Sequence, residues 1–304
     1  MMKKVIIAVD AGGTKTKVSA IDENANVVYE EIGDSGSPAV IHEKAIINIF
    51  NLVRSVFHHV KDEYKVVYVQ MGISGLGVIP NQDELQHSLT NELGVEVSFA
   101  SDIIIGLFSI IEDKYTEGVL VLSGTGSAVC ATNGKDIRYG GGWGHLLTET
   151  GSAHYAVKML VCQAIKYFER HNRINPLALK FMKTINITSL EGFKSFIYSN
   201  TKKHIASHSH FICEEAEKGD KEAIRILEKC GRDLASEVKL VHRLLKLSDK
   251  AVLGFRGGFI SNSQIVQHTL LTTLAKKGIQ LKLVTGSTDP IYGAYYLAKR
   301  KNKI

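Results

Sequence analysis

Cysteine, proline and tryptophan are all scarce in this chain of 304 residues. The four cysteines (Cys130, Cys162, Cys213 and Cys230) lie far apart and form no Cys-x-x-Cys pair. That spacing argues against a disulfide framework and a zinc site, and it fits a reducing cytoplasm. With only four prolines and no low-complexity stretch, no floppy linker is expected. No apolar run approaches the ~20 residues that span a bilayer, and Met-Met-Lys-Lys ahead of Val5 is too short a start for a secretory signal. A cytoplasmic protein without a membrane partner is therefore expected. Charge of one sign is also limited, with a net of +6. Its clearest concentration, Lys299-Arg-Lys-Asn-Lys303, ends a predicted helix, where cations meet the helix dipole favourably. A solvated helix end is expected there, and not a nucleic-acid arm. Nor are the aromatics interleaved with basic residues as a single-strand binder needs, so no nucleic-acid partner is expected.

Hydrophobic content of 44% and charged content of 22% suit an ordinary globular protein, and the length suggests about two domains. The most informative features are two glycine-threonine turns gripped between apolar strands. The first is Val5-Ile-Ile-Ala-Val-Asp10-Ala-Gly12-Gly13-Thr14-Lys-Thr16-Lys-Val-Ser-Ala-Ile21. The second is Gly118-Val-Leu-Val-Leu-Ser123-Gly124-Thr125-Gly126-Ser127-Ala-Val-Cys-Ala131. Both read as hairpins. Glycines admit a ligand close to the backbone, and successive N–H groups with threonine hydroxyls form a nest for anionic oxygens. Hydrogen bonds to charged groups contribute roughly 1.5–3 kcal/mol each, so two such turns could hold a polyphosphate. Neither turn matches the P-loop or the Gly-x-Gly-x-x-Gly dinucleotide fingerprint.

The first half reads as strands at 4–9, 17–22 and 27–32, a helix at 43–60, a strand at 66–71, a helix at 83–93, a strand at 95–99, and a helix opening at Ser101-Asp102. The second half repeats the order, with a hairpin at 118–132, a strand at 136–139, a helical stretch at 151–247, strands at 251–254 and 280–284, and helices at 263–276 and 290–300. Strands alternating with helices predict an α/β fold with largely parallel sheets, and ligands of such sheets sit at the carboxyl ends of strands.

These residues resemble the superfamily of sugar kinases and actin, and within it the N-acetylglucosamine kinase group, which shares a family with BadF/BadG/BcrA/BcrD-type ATPases. The resemblance rests on Asp10 to Thr14, Ser123 to Ser127, Ser101-Asp102, Gly140-Gly-Gly142-Trp143-Gly-His145 with Gly151-Ser152, and Arg256-Gly257-Gly258. It implies two ribonuclease-H-like α/β domains of the actin/hexokinase type flanking a cleft. Residues 1–115 with the helix 290–304 would form the smaller domain, and 116–289, with the helical insertion 151–247, the larger. It further implies ATP and Mg²⁺ as cofactors, with Asp10 positioning the metal through water. Gly12, Gly13 and Thr14 would hold the outer phosphates from one side and Gly124, Thr125 and Gly126 from the other, with Gly257 and Gly258 at the adenosine. Asp102 would be the general base toward an amino-sugar hydroxyl, contacted by Ser74, Gly75, Gly142, Trp143 and Glu149. A homodimer is also implied by resemblance.

Several residues keep a second reading. Asp10 could simply end a strand, and Asp102 could cap a helix as well as act on substrate. Trp143 could pack in a core or roof a sugar site. His204, His208 and His210 invite a metal reading, but a solvated helix end is the simpler one, and Glu214-Glu215-Ala-Glu217 reads as a solvated face. The chain also departs from the family pattern, with Thr148-Glu149-Thr150 replacing Gly-Asp-Glu, and Ser37 before Pro38 standing where relatives place a sugar-binding asparagine. N-acetylglucosamine, at its 6-hydroxyl, is the expected acceptor, with glucosamine and N-acetylmuramic acid as alternatives. A dehydratase-activating ATPase would need closely spaced cysteines for an iron–sulfur cluster. A non-catalytic nucleotide or sugar sensor is the remaining reading.

Overall fold

The computed structural model describes residues 2–41, 43–284 and 288–304. The chain forms two compact units, Met1–Gly118 with Val284–Ile304, and Val119–Leu283. Among the described residues each unit carries a five-stranded mixed sheet flanked by helices.

In the first unit the strands are β1 (Lys3–Ala11), β2 (Thr16–Asp22), β3 (Val27–Gly33), β4 (Tyr64–Ile73) and β5 (Val97–Ser101), in the order β3-β2-β1-β4-β5. β2 pairs antiparallel with β1 and β3, whereas β1, β4 and β5 run parallel. The unbroken apolar run Val5 to Val9 reflects the central place of β1, where every one of those side chains is fully buried. The turn after β2 is an Asx turn: Asp22 Oδ1 accepts the N–H groups of Asn24 and Asn26 at 2.9 and 2.8 Å.

The helix Glu43–Val60 lays Ala45, Ile49, Phe50, Val53, Val56 and Val60 against this sheet, the spacing of one helical face. The helix Pro290–Arg300 starts with proline at its first turn behind the cap Asp289, whose Oδ1 accepts the Ile291 N–H at 3.1 Å. It packs on the helix Asp102–Ile111 so closely that a methyl on Gly293 would fall 1.7 Å from the Ile105 carbonyl oxygen.

The basic residues at the end of that helix are not the solvated cluster their composition suggests. Lys299 pairs with Asp113 at 2.6 Å, Arg300 donates to the Glu112 carbonyl at 2.9 Å, and Lys303 reaches Glu96 at 2.5 Å. Lys301 donates to Gln70 Oε1 at 2.9 Å and Ser98 Oγ at 3.0 Å. These groups fasten the tail to β4, to β5 and the residue before it, and to the segment that follows Asp102–Ile111.

The second unit holds β6 (Gly118–Ser123), β7 (Ser127–Thr132), β8 (Ile137–Gly141), β9 (Val252–Arg256) and β10 (Lys282–Leu283), in the order β10-β9-β6-β7-β8. Each unit thus orders its strands third, second, first, fourth, fifth. The helical stretch between β8 and β9 resolves, among the described residues, into six helices: Ala153–His171, Pro176–Thr184, Gly192–Tyr198, Lys202–Ser207, Ser209–Glu217 and Lys221–Leu245. They bury their own apolar core, in which Phe181 touches Phe193, Phe196 and Phe211. Glu215 departs from the solvated face expected for its segment. It is buried, with Lys180 at 2.5 Å and Lys218 at 2.8 Å. The two lysines answer the charge that burial would otherwise leave alone.

Candidate active site

Three parallel strands of the first unit end side by side, and the expected residues sit at their carboxyl ends. Asp10 is opposite Gly72 in the β1–β4 register, and Ile73 is opposite Ser101 in β4–β5. Beyond those ends lie Gly12, Gly13 and Thr14 after β1, Ser74 and Gly75 after β4, and Asp102 after β5. The first turn is closed by the Gly12 N–H donating to the Lys15 carbonyl at 3.0 Å, and Gly13 and Thr14 are exposed.

Ser74 joins the three ends. Its N–H donates to the Ala11 carbonyl at 2.9 Å, its carbonyl accepts the Ser37 hydroxyl at 3.1 Å, and its own hydroxyl bonds the Asp102 carboxylate. Ser37 is 2% exposed, so its hydroxyl is spent on holding the Ser74 loop and does not face outward as a substitute for an amide. Gly75 adopts φ 73°, the left-handed region that lets the loop turn back.

Asp102 is the first helical residue of Asp102–Ile111, and the cap position falls to Ser101. The Asp102 Oδ1 accepts the Ile103 N–H at 2.9 Å. Burial pushes its pKa above the ordinary aspartate value, while the Ser74 hydroxyl and the backbone N–H groups pull the other way. A half-buried carboxylate oriented by a hydroxyl, at the end of a parallel sheet, has the placement a general base needs.

In the second unit the corresponding turn is locked from below. The Gly124 N–H donates to the Gly126 carbonyl at 2.9 Å, and the Ala153 N–H to the Gly124 carbonyl at 2.9 Å. The Ser123 hydroxyl donates to the Gly151 carbonyl and the Ser127 hydroxyl to the Thr150 carbonyl, each at 2.7 Å. The Thr150 and Gly151 carbonyls and the Ala153 N–H are thereby the support for the turn, and Thr125 is left exposed at its tip. β9 lies beside β6, and its end brings Gly257 and Gly258 to Gly124. A Cβ on Gly124 would be 3.7 Å from both the Gly257 Cα and the Gly258 N. Gly257 itself has φ 99°, and a Cβ there would fall 2.5 Å from the Ser123 carbonyl oxygen. The segments of this unit that the sequence marks for phosphate and adenosine therefore meet.

The loop carrying Gly142 and Trp143 stands beside β7, where a Cβ on Gly142 (φ 78°) would meet the Ala128 Cβ at 2.9 Å. The Trp143 N–H donates to Thr148 Oγ1 at 3.3 Å. Trp143 is 76% exposed and followed by Leu146 at 80% and Leu147 at 73%, which removes the core reading of the tryptophan. Glu149 does not point outward with them. Its carboxylate reaches under the turn, so that a Cβ on Gly126 would lie 2.6 Å from Glu149 Oε2.

Two residues were invisible in the sequence. Lys202 Nζ stands 2.5 Å from Glu149 Oε2, and no motif or local spacing marks it. His154 is buried beside His145, with ring centroids 5.0 Å apart. Burial, then the charges of His145, Lys202 and Lys158, push its pKa down to about 4, so it is neutral near pH 7.

The chain is similar to known proteins in sequence and in fold. The model of the BadF/BadG/BcrA/BcrD ATPase family matches residues 7–298. An N-acetylmuramic acid/N-acetylglucosamine kinase of Clostridium acetobutylicum is 26% identical over 97% of this chain and 98% of its own length. An N-acetyl-D-glucosamine kinase of Dictyostelium discoideum is 24% identical over 100% of both chains. The solved structure of a candidate N-acetylglucosamine kinase from Chromobacterium violaceum superposes with TM-score 0.70 at 18% identity, over 97% of this chain and 98% of that one, and so shares the fold.

Proposed function

We propose that this chain, which belongs to the BadF/BadG/BcrA/BcrD ATPase family, phosphorylates an amino sugar with ATP, N-acetylglucosamine at its 6-hydroxyl being the preferred acceptor. The observation that carries the reading is the Ser74–Asp102 arrangement at the carboxyl end of the first sheet, next to the Gly12-Gly13-Thr14 turn. Phosphoryl transfer asks mainly for positioning and charge neutralisation. The glycine turns supply backbone donors for phosphate oxygens, Gly257-Gly258 the surface for the adenosine, and Asp102 accepts the proton of the attacking hydroxyl. Ser74 keeps the carboxylate aimed. The exposed Trp143 loop belongs to the sugar side, and Glu149 stands between it and the second turn.

Magnesium suits the donor set. The hard carboxylate oxygens of Asp10 at the end of β1 match an ion that takes one or two carboxylates and otherwise keeps water and phosphate. When bound, it neutralises charge on the phosphates. The names of the two curated relatives support an acetylated amino sugar, with N-acetylmuramic acid as the neighbouring candidate; glucosamine stays an alternative on the family resemblance alone.

The test is ADP release coupled to a colour reaction, run with N-acetylglucosamine, N-acetylmuramic acid, glucosamine, N-acetylmannosamine and glucose. Sugar-dependent release highest with N-acetylglucosamine is expected. ATP binding without release on any sugar would favour a sensor instead.

A further inference from the structure

The pairing of Glu149 with Lys202 is unlike the other ion pairs of the second unit, because it lies directly beneath a proposed ligand turn. A Cβ on Gly126 would fall 2.6 Å from Glu149 Oε2 and 2.7 Å from Lys202 Nζ. The two charged groups therefore line the floor of the turn. Glu149 Oε2 is buried and takes no hydrogen bond of ordinary geometry, although the ammonium stands 2.5 Å away. The Lys202 side chain remains 29% exposed against 11% for Glu149. It rises from the start of the helix Lys202–Ser207, fixed there by Thr201, whose hydroxyl accepts the His204 N–H at 3.2 Å.

A carboxylate alone at this place would repel a polyphosphate. A lysine alone, four methylenes long, would have many other positions to sample. Together they form a neutral pair in which the ammonium is parked within reach of the turn, where a phosphate oxygen carrying more negative charge can compete for it. Resting on the reading that Gly124 to Gly126 hold nucleotide phosphates, we propose that Lys202 is a phosphate-binding residue, and that Glu149 is the positioning residue that stores its ammonium beneath Gly126 until the nucleotide arrives. The exchange also releases the Glu149 carboxylate, making it available to sugar hydroxyls only when nucleotide is bound.

Calorimetric titration of AMP, ADP and the non-hydrolysable analogue AMPPNP into the wild type, Lys202→Met, Lys202→Arg and Glu149→Gln proteins tests this. A hydrogen-bonded charge at phosphate is worth about ten- to a hundredfold in affinity, so Lys202→Met should lose that much for ADP or AMPPNP while AMP binding stays unchanged. Lys202→Arg should recover most of it, and Glu149→Gln, lacking the competing carboxylate, should bind AMPPNP several-fold more tightly. Equal losses for all three nucleotides would mark a structural role and overturn the assignment, as would unchanged AMPPNP binding in Lys202→Met. A wild-type protein that binds no AMPPNP would instead bring down the nucleotide reading itself, and this proposal with it.

Discussion

A methyl group added to Gly12 would stand 3.4 Å from the Lys15 carbonyl oxygen, and one added to Gly13 would stand 3.8 Å from Val40. Both distances are ordinary contact. At the second turn the same addition to Gly126 would strike the Glu149 carboxylate, and at neighbouring Gly257 it would strike the Ser123 backbone at 2.5 Å. Two turns that occupy equivalent places in two identically ordered sheets are thus glycine-rich for different reasons. In the first unit nothing among the described residues excludes a side chain at Gly12 or Gly13, so the requirement falls on whatever approaches from outside. In the second unit Gly124 has only ordinary contacts at 3.7 Å, but the protein itself crowds Gly126, with a carboxylate and an ammonium, and Gly257, with the Ser123 backbone.

The largest expected effect separates chemistry from binding. Asp102→Asn in the first unit should lower kcat by about a hundred- to ten-thousandfold, the usual contribution of a positioned base. AMPPNP affinity measured by titration should be kept. A loss below about fivefold in steady-state turnover would remove Asp102 from the mechanism.

A glycine of each unit can be set against the other by urea unfolding. Gly257→Ala combines a left-handed φ with a backbone clash and should lose about 2–4 kcal/mol. Gly13→Ala should stay within about 0.5 kcal/mol of the wild type yet weaken AMPPNP binding. Equal destabilisation by the two substitutions would erase the contrast between the units.

A smaller effect concerns the acid side of the rate profile. A base must be ionised, and burial raises the Asp102 pKa, so kcat/KM should fall with decreasing pH above the ordinary aspartate range. Ser74→Ala removes a bond that favours the carboxylate, and should move that limb to still higher pH. A limb unmoved by Ser74→Ala would show that another group titrates.

The smallest effect belongs to the second unit. Folded His154 titrates at about 4, whereas an unfolded histidine titrates near ~6.5. Between those values the unfolded chain binds a proton that the folded chain refuses, so stability should decline as pH drops from about 6.5 to about 4. Urea midpoints at about pH 7.5 and about pH 5 should lie closer together in His154→Gln than in the wild type.

The sequence was most legible where one local rule decided the outcome. β1 follows from an unbroken apolar run, the helix Glu43–Val60 from its periodic face, and the helix Pro290–Arg300 from Asp289-Pro290 at its start. The repeated strand order was readable because each half shows the same succession of patterns. What stayed hidden depends on long-range placement. Lys202 reaches Glu149 only because six helices fold the chain back. Glu215 looked solvated because its two lysine partners confer no pattern. The basic tail looked free because its carboxylate and carbonyl partners lie far upstream. Ser37 looked like a substrate contact, and its burial against the Ser74 loop could not be read from its neighbours.

The seating of Gly293 against Ile105 has a consequence for biosynthesis. The helix that covers this face of the first sheet leaves the ribosome only after the whole second unit has been made. Until then the nascent first unit exposes the apolar surface of Asp102–Ile111 that Pro290–Arg300 will later cover. Such surface invites aggregation while it waits. The second unit, continuous in sequence, can close on itself first, so the earlier-made half of the molecule is the later one to finish.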